Sequence, residues 1–258
     1  TMSKLKYYLL SPLLLIILSA CSSISDERPE PIRKSEYYLE HGVSAFANSD
    51  YVTATDFFSK ALAHYRSIDD TTGILLSRIN LAETSLASGN FSASEQNIKM
   101  AESIVQHENY AEYRLRINLL HSQIHWKKKE HSEALQQLQT LLPQFDEGNQ
   151  SKTTPNLLMV GATTLRTDIA FAHIDENTVE AHMWLDRLSL MIQSAKDVTP
   201  QHKARLLRFE AQIAFRNGKN ESAFLKLEQA LQQYRQTASR PAIAATLAEM
   251  GQLLMNME

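Results

Sequence analysis

The sequence predicts an all-α protein: an α-solenoid of about five helix pairs followed by a C-terminal capping helix. Ala, Leu, Gln, Glu, Lys and Arg, which favour helices, are frequent, and the 258 residues include only 7 Gly. β-branched residues form no alternating runs of the kind that strands show. A pattern of small and bulky residues also recurs along the chain, as expected of a protein built from repeated helix pairs.

The recurring pattern is a small residue followed four positions later by a bulky one, as in Ala54-x3-Phe58. A small residue lets two helices approach closely, and the bulky residue fills the space beside it. The small residues are separated by 40, 40, 47 and 42 positions, and the copies span about residues 36 to 236. They are Ala54, Ser94, Ala134, Ala181 and Ala223.

This pattern resembles the tetratricopeptide repeat, which is a pair of helices. Gly42, Tyr51 and Ala54-x3-Phe58-x2-Ala61 carry the resemblance in the first copy. Later copies depart from it, because Ile98 and several leucines replace the aromatic residue. The spacing also exceeds the usual ~34 residues, so each helix is expected to be about one turn longer than usual. Residues 241 to 257 are expected to form the capping helix.

Local signals predict where individual helices begin and end. Thr154-Pro155 and Thr199-Pro200 place a capping hydroxyl before a first-turn proline. Ser92 to Glu95 has the pattern of a capping box that would open the second helix of the second pair. Gly89 and Gly218 suit helix C-terminal positions that require a left-handed backbone.

The N-terminal segment has the pattern of a secretion signal. Lys4 and Lys6 precede a short apolar run, which ends in Leu18-Ser19-Ala20-Cys21. The run is shorter than the roughly 20 apolar residues of a spanning helix. It resembles the lipobox of bacterial lipoproteins, in which the cysteine is acylated and becomes the new N-terminus. The alternative is an ordinary secretion signal with an incidental cysteine.

The lipobox resemblance implies a location and a division of the chain. Ser22 stands where many inner-membrane lipoproteins carry Asp, which favours the periplasmic face of the outer membrane of a Gram-negative bacterium. Residues 1–20 are then a signal peptide, and residues 21–35 are the acylated Cys21 and a flexible tether. The tether is expected to be flexible because it is rich in proline and charge. Residues 36–258 form the solenoid.

Composition argues against several classes of function. The net charge of −3 is unlike that of a nucleic-acid binder, which needs a basic excess. With a single cysteine, the chain can form no internal disulfide bond. We find no phosphate-binding glycine loop, no Gly-x-Ser-x-Gly and no dinucleotide fingerprint, so we expect neither an enzyme nor a cofactor.

The repeat resemblance implies that the first helices of the pairs line a concave groove. Positions counted from the five small residues place arginines and aromatic residues in the C-terminal half of this groove. There, arginine could bind carboxylates, and Trp126 or Phe215 could anchor apolar groups. We therefore expect a protein or peptide partner that is acidic or carries a free carboxylate. The alternative is that the cations only solvate exposed helix faces. The predicted groove residues are Arg116, Gln123, Trp126, Lys127, Arg166, His173, Arg205, Arg208, Gln212, Phe215 and Arg216.

The expected function is a membrane-tethered periplasmic scaffold or adaptor, similar to pilotins or to adaptors of peptidoglycan enzymes. One alternative is a structural lipoprotein that associates with itself, with a neighbouring copy filling the groove. Another is a metal-binding or enzymatic protein that uses His121 and His125, which share one helix face. Neither a following glutamate nor a third ligand has the spacing of a known metal motif.

Overall fold

The structure is a computed structural model that describes residues 28–106, 110–147 and 157–256. Eleven helices and no strand lie within these ranges. The helices are α1 (Glu30–Ala47), α2 (Tyr51–Ser67), α3 (Thr71–Ala87), α4 (Phe91–Glu102), α5 (Ala111–Lys127), α6 (His131–Glu147), α7 (Leu157–Ala172), α8 (Thr178–Ser194), α9 (Pro200–Arg216), α10 (Asn220–Gln236) and α11 (Arg240–Met255).

The helices pack in sequence order, which confirms the all-α solenoid. Five pairs form, namely α1 with α2, α3 with α4, α5 with α6, α7 with α8 and α9 with α10. Each pair contacts the next, and α11 packs on α10 as the capping helix. The apolar core is therefore a chain of clusters between neighbouring helices, as repeat proteins require.

Small buried residues occupy corresponding positions in the two helices of every pair, and we call them anchor residues. Ser94 donates a hydrogen bond of 2.8 Å to the carbonyl oxygen of Ala82, so the backbones of α3 and α4 approach closely there. The anchors of the second helices are the five predicted residues, all buried: Ala54, Ser94, Ala134, Ala181 and Ala223. The anchors of the first helices, also buried, are Gly42, Ala82, Ser122, Thr167 and Ala211.

The size of the first anchor varies with the bulky residue of the second helix. A Cβ atom added to Gly42 would lie 2.6 Å from two ring carbons of Phe58, so only glycine fits beside that ring. The other four pairs carry a larger first anchor and an aliphatic residue in place of the aromatic one. Those aliphatic residues, all buried, are Ile98, Leu138, Leu185 and Leu227. Between the first and fifth pairs, the departure from the repeat pattern exchanges glycine and phenylalanine for Ala211 and Leu227, which keeps the total volume of the two side chains about the same.

Most helices are joined by turns of three residues, whose middle residue has a left-handed backbone. Gly89 (φ 82°) and Gly218 (φ 70°) confirm the prediction, and Ala238 (φ 48°) takes the same place between α10 and α11. At Gly218 the turn is closed by backbone hydrogen bonds from Gly218 to Phe215 and from Lys219 to Ala214, both 2.9 Å.

The predicted capping box at Ser92 to Glu95 is wrong. The α4 helix begins at Phe91, and the side chain of Asn90 accepts the capping hydrogen bond from the Ala93 amide. Ser94 faces α3 instead, because it is the anchor residue. Thr199 does cap α9 by accepting a hydrogen bond from the His202 amide, and Pro200 is the first helical residue, as predicted. Thr154-Pro155 lies outside the described residues.

The first helix begins earlier than the predicted end of the tether. The α1 helix starts at Glu30, and Pro31 fits its first turn, where no amide hydrogen is needed. Ser35 is buried and donates a hydrogen bond of 2.7 Å to the carbonyl oxygen of Pro31. The expected signal peptide, Cys21 and the rest of the tether up to residue 27 lie outside the described residues. Within the described ranges, none of the helices is both long and apolar enough to span a membrane.

Exchanging residues between two equivalent turns should change stability in opposite directions. Ala238→Gly should raise the free energy of unfolding by about 1 kcal/mol, because glycine adopts a left-handed backbone without strain. Gly218→Ala should lower it by about 1 kcal/mol, although the new methyl group meets no atom within 4 Å. Urea unfolding measures both changes in the free energy of unfolding. A change of the same sign in the two variants would contradict a left-handed backbone at both turn positions.

Candidate functional site

Two adjoining cavities open in the C-terminal half of the solenoid, and together we call them the C-terminal groove. The larger, of about 450 Å³, lies between α7, α9, α10 and α11. The smaller, of about 270 Å³, lies between α5, α7, α9 and α11. Phe171, Gln212 and Glu249 line both cavities, so the two lie directly beside each other.

The structure brings six of the eleven predicted groove residues together along these cavities. They are Trp126, Arg205, Arg208, Gln212, Phe215 and Arg216. The other predicted residues do not line either cavity. They are Arg116, Gln123, Lys127, Arg166 and His173.

The positions predicted on α7 are out of register by two residues. The link from α7 to α8 covers residues 173–177, whereas the other pairs have three-residue turns, so counting back from Ala181 stops two residues short of the equivalent positions. Arg166 is consequently buried away from the groove, where it forms an ion pair with Glu180 of α8 and lies 4.8 Å from the centre of the Trp184 ring. The residues that α7 does contribute to the groove are Asp168, Phe171 and Ala172.

The two central arginines of the groove already have carboxylate partners. Arg205 forms an ion pair with Asp168 of α7, including a hydrogen bond of 2.8 Å from Nε to Oδ1. Arg208 pairs in the same way with Glu249 of α11, with 3.0 Å between Nε and Oε2. Each pair joins neighbouring first helices across the groove. These arginines are therefore part of the wall, and they are not free donors for an acidic partner as the sequence had led us to expect.

Burial of the first pair changes the acidity of its carboxyl group. The Asp168 side chain is only 14% exposed, and this burial raises its pKa above the usual value. The Arg205 guanidinium opposes that rise, but does not cancel it. Without Arg205, the carboxylate would be a poorly compensated charge.

Arg216 has a different environment at the edge of the groove. It pairs with Asp175 at 2.7 Å, and this aspartate side chain is 83% exposed. The hydrogen bond from Arg216 lowers the pKa of Asp175. An ion pair this exposed to water contributes little to stability, so a carboxylate from another molecule could replace Asp175 at small cost.

The remaining lining of the larger cavity is mostly apolar. Phe215 is partly exposed there, beside the buried Phe171. Further apolar walls are Ile174, Ala211, Ala223, Leu227 and Leu253. Amide side chains of Gln212, Gln252 and Asn256 lie among them and can exchange hydrogen bonds with a peptide backbone.

Predicted residues outside the cavities have structural contacts. Arg116 makes two hydrogen bonds to Glu83 (2.7 and 2.6 Å) and one to Asn80 (2.7 Å), joining α5 to α3. The His173 ring meets the edge of the His131 ring, with 5.7 Å between their centres. His131 in turn lies 4.5 Å from Trp126, so an aromatic row leads from the smaller cavity towards α8.

His121 and His125 point to separate carboxylates rather than to a shared site. His121 is 2.8 Å from Glu102, and His125 is 2.6 Å from Glu130. In the described ranges, no group of three or more His, Cys, Asp or Glu side chains is arranged to hold a metal ion.

Sequence reasoning missed the contributions of α7 and α11 to the groove. Asp168 and Phe171 are identified as groove residues when the first helices are aligned by their C-terminal ends. This alignment does not depend on the length of the link before α8. Glu249, Gln252 and Leu253 follow from extending the repeat by one more first helix, because α11 begins 40 residues after α9. Comparison with known proteins found no matching family model and no matching curated protein.

Removing Arg205 should make stability depend on pH in a defined direction. In Arg205→Met, Asp168 keeps a raised pKa without its cation, so the folded state binds a proton more readily than the unfolded state. The variant should therefore lose little stability at pH 4.5. It should lose more as the pH rises, reaching about 1–3 kcal/mol at pH 7.5. Urea unfolding at both pH values, each compared with the wild type, measures this difference.

Two further variants act as controls. Arg205→Met/Asp168→Asn removes both charges and should recover most of the stability lost at pH 7.5. Arg216→Met, at the exposed pair, should show no such pH-dependent loss. A loss in Arg205→Met that is equal at both pH values would show that the pair is unimportant and that only packing was changed.

Proposed function

We propose that this protein is a lipid-anchored periplasmic scaffold that binds a protein partner through the C-terminal groove. The observation that carries the proposal is the pair of adjoining cavities, which combine an apolar floor with amide groups and one exposed arginine. Partner sites commonly have an apolar pocket at the centre and polar groups at the rim.

The chemistry of the groove supports a partner with an apolar anchor residue next to a carboxylate. The apolar side chain would enter the larger cavity beside Phe215, and the carboxylate would replace Asp175 at Arg216. Arg205 and Arg208 would stay with Asp168 and Glu249. A carboxylate-bearing partner thus remains part of the proposal, with Arg216 as the residue that receives it.

The lipobox at Leu18 to Cys21 supports the membrane part of the proposal. Two acyl chains hold a protein stably at a bilayer, and confinement raises the local concentration of groove and partner. The α1 helix begins nine residues after Cys21, a length that spans about 30 Å when extended at ~3.3 Å per residue. The solenoid would therefore remain near the outer membrane. Among envelope roles, the apolar cavity supports one in which an apolar segment of a client is held, as in pilotins.

Site-specific photocrosslinking in the native cells tests the groove. A photoreactive residue at Phe215 should yield a discrete adduct, because this side chain stands at the mouth of the larger cavity. The same residue at Val179, which is exposed on α8, should not yield that adduct. In a Phe215-labelled chain, Gln212→Trp should reduce the adduct by at least about tenfold, because the exposed Gln212 position allows a large ring to fill the cavity without disturbing the core.

The same cells test the tether separately. Replacing residues 1–21 with the cleavable signal peptide of a soluble periplasmic protein should move the protein from the membrane fraction to the soluble fraction and should leave the solenoid folded. An adduct that forms equally at Val179, or that is unaffected by Gln212→Trp, would contradict binding in the groove. A protein that stays with the membrane after this replacement would contradict the lipid anchor.

A further inference from the structure

The outer side of α11 carries an uninterrupted row of apolar residues, which we call the α11 outer face. The positions recur every three or four residues and therefore lie on one side of the helix. All of them are exposed, including Leu247 (47%), Leu254 (49%) and Met255 (72%). The face consists of Ala244, Leu247, Ala248, Gly251, Leu254 and Met255.

The repeat register shows what kind of element fits this face. The α11 helix corresponds to the first helix of a pair, and Gly251 falls where the anchor Ala211 stands in α9. In the five complete pairs the first anchor is buried by the second helix. At Gly251, an added Cβ atom would have no neighbour within 4 Å. The outer face is thus a helix-packing surface whose partner helix is missing from the described part of the chain.

Charge is absent from this face. The charged side chains of α11 are Arg240, at its first residue, and Glu249, which is bound to Arg208. A contiguous apolar face that is exposed to water is typical of a contact surface.

We propose that a second copy of this chain packs its own α11 on this face, with the two helices antiparallel about a two-fold axis. Ala244 and Ala248 lie in the N-terminal half of the face together with Leu247, and Gly251 precedes the large residues of the C-terminal end, Leu254 and Met255. With Ala244 opposite Met255 of the other copy, Leu247 comes beside Gly251. An antiparallel arrangement sets the large residues of one copy against the small residues of the other, whereas a parallel one would oppose large with large. The face is therefore complementary to itself, as a two-fold interface requires.

Charge also favours the antiparallel arrangement. Two copies of an uncharged face meet without like-charge repulsion. Arg240 of each copy comes near the C-terminal end of the other α11, where the helix dipole favours a cation. The helix is 16 residues long, or about 24 Å, so the contact is smaller than a standard interface and the dimer is weak. Tethering to a membrane, if the proposed anchor holds, would promote this dimer, but the dimer does not depend on it.

Sedimentation equilibrium of the full chain tests the dimer, with Cys21→Ser in every sample to exclude acylation and disulfide formation. Between about 1 and 100 µM, this chain should show a reversible equilibrium of monomer and dimer. Leu254→Arg should weaken the dimer by at least about tenfold, because it places two charges in the apolar contact. The matched control is Leu190→Arg, at an exposed leucine of α8, which should leave the dimer unchanged.

Disulfide trapping tests the orientation of the helices. Ala244→Cys and Met255→Cys, each prepared separately in the Cys21→Ser chain, should form a disulfide-linked dimer on oxidation when the two proteins are mixed. Neither should do so alone, because each position faces the other across the proposed axis. A chain that remains monomeric at about 100 µM, a dimer unaffected by Leu254→Arg, or trapping of either protein by itself would overturn the proposal.

Discussion

Close contact between two small residues, one from each helix of a pair, is the constraint on which this structure depends. At Ala82 and Ser94 it brings the helices near enough for a side chain to reach the facing backbone, at 2.8 Å. A close contact leaves little free volume, so the bulky residue four positions after the second anchor must leave room for the first anchor. Gly42 with Phe58, and Ala211 with Leu227, are two solutions of the same packing problem. Repetition of this contact produces the solenoid.

The groove follows from that packing together with the ion pairs between successive first helices. Asp168 with Arg205, and Arg208 with Glu249, join α7, α9 and α11 where the anchors hold each first helix on its own partner. The arginines that a basic surface would offer to a ligand are used to keep these helices in place. What remains open to a partner is an apolar cavity with amide groups and Arg216 at its edge.

The fold could be predicted from the sequence because the second-helix anchors are small residues at nearly regular intervals, and all five proved to be buried. Six of the residues that line the groove could be predicted in the same way, since α9 and α5 keep the register of their anchors. Arg166 could not be placed correctly, because the longer link before α8 shifts α7 by two positions without leaving a motif. The sequence also does not reveal that Arg205 and Arg208 are paired with carboxylates. Their partners lie about 40 residues away along the chain, and only the fold brings them together.

The compensation of size between the two helices of a pair is the central claim, and a double-mutant cycle at Gly42 and Phe58 measures it directly. Gly42→Ala should destabilise the protein by about 1–3 kcal/mol through overpacking, and Phe58→Leu by a comparable amount through a cavity. The double variant reproduces the alanine–leucine combination of the fifth pair, so its loss should be smaller than the sum of the single losses by about 1 kcal/mol or more. Losses that add to within about 0.5 kcal/mol would contradict the account.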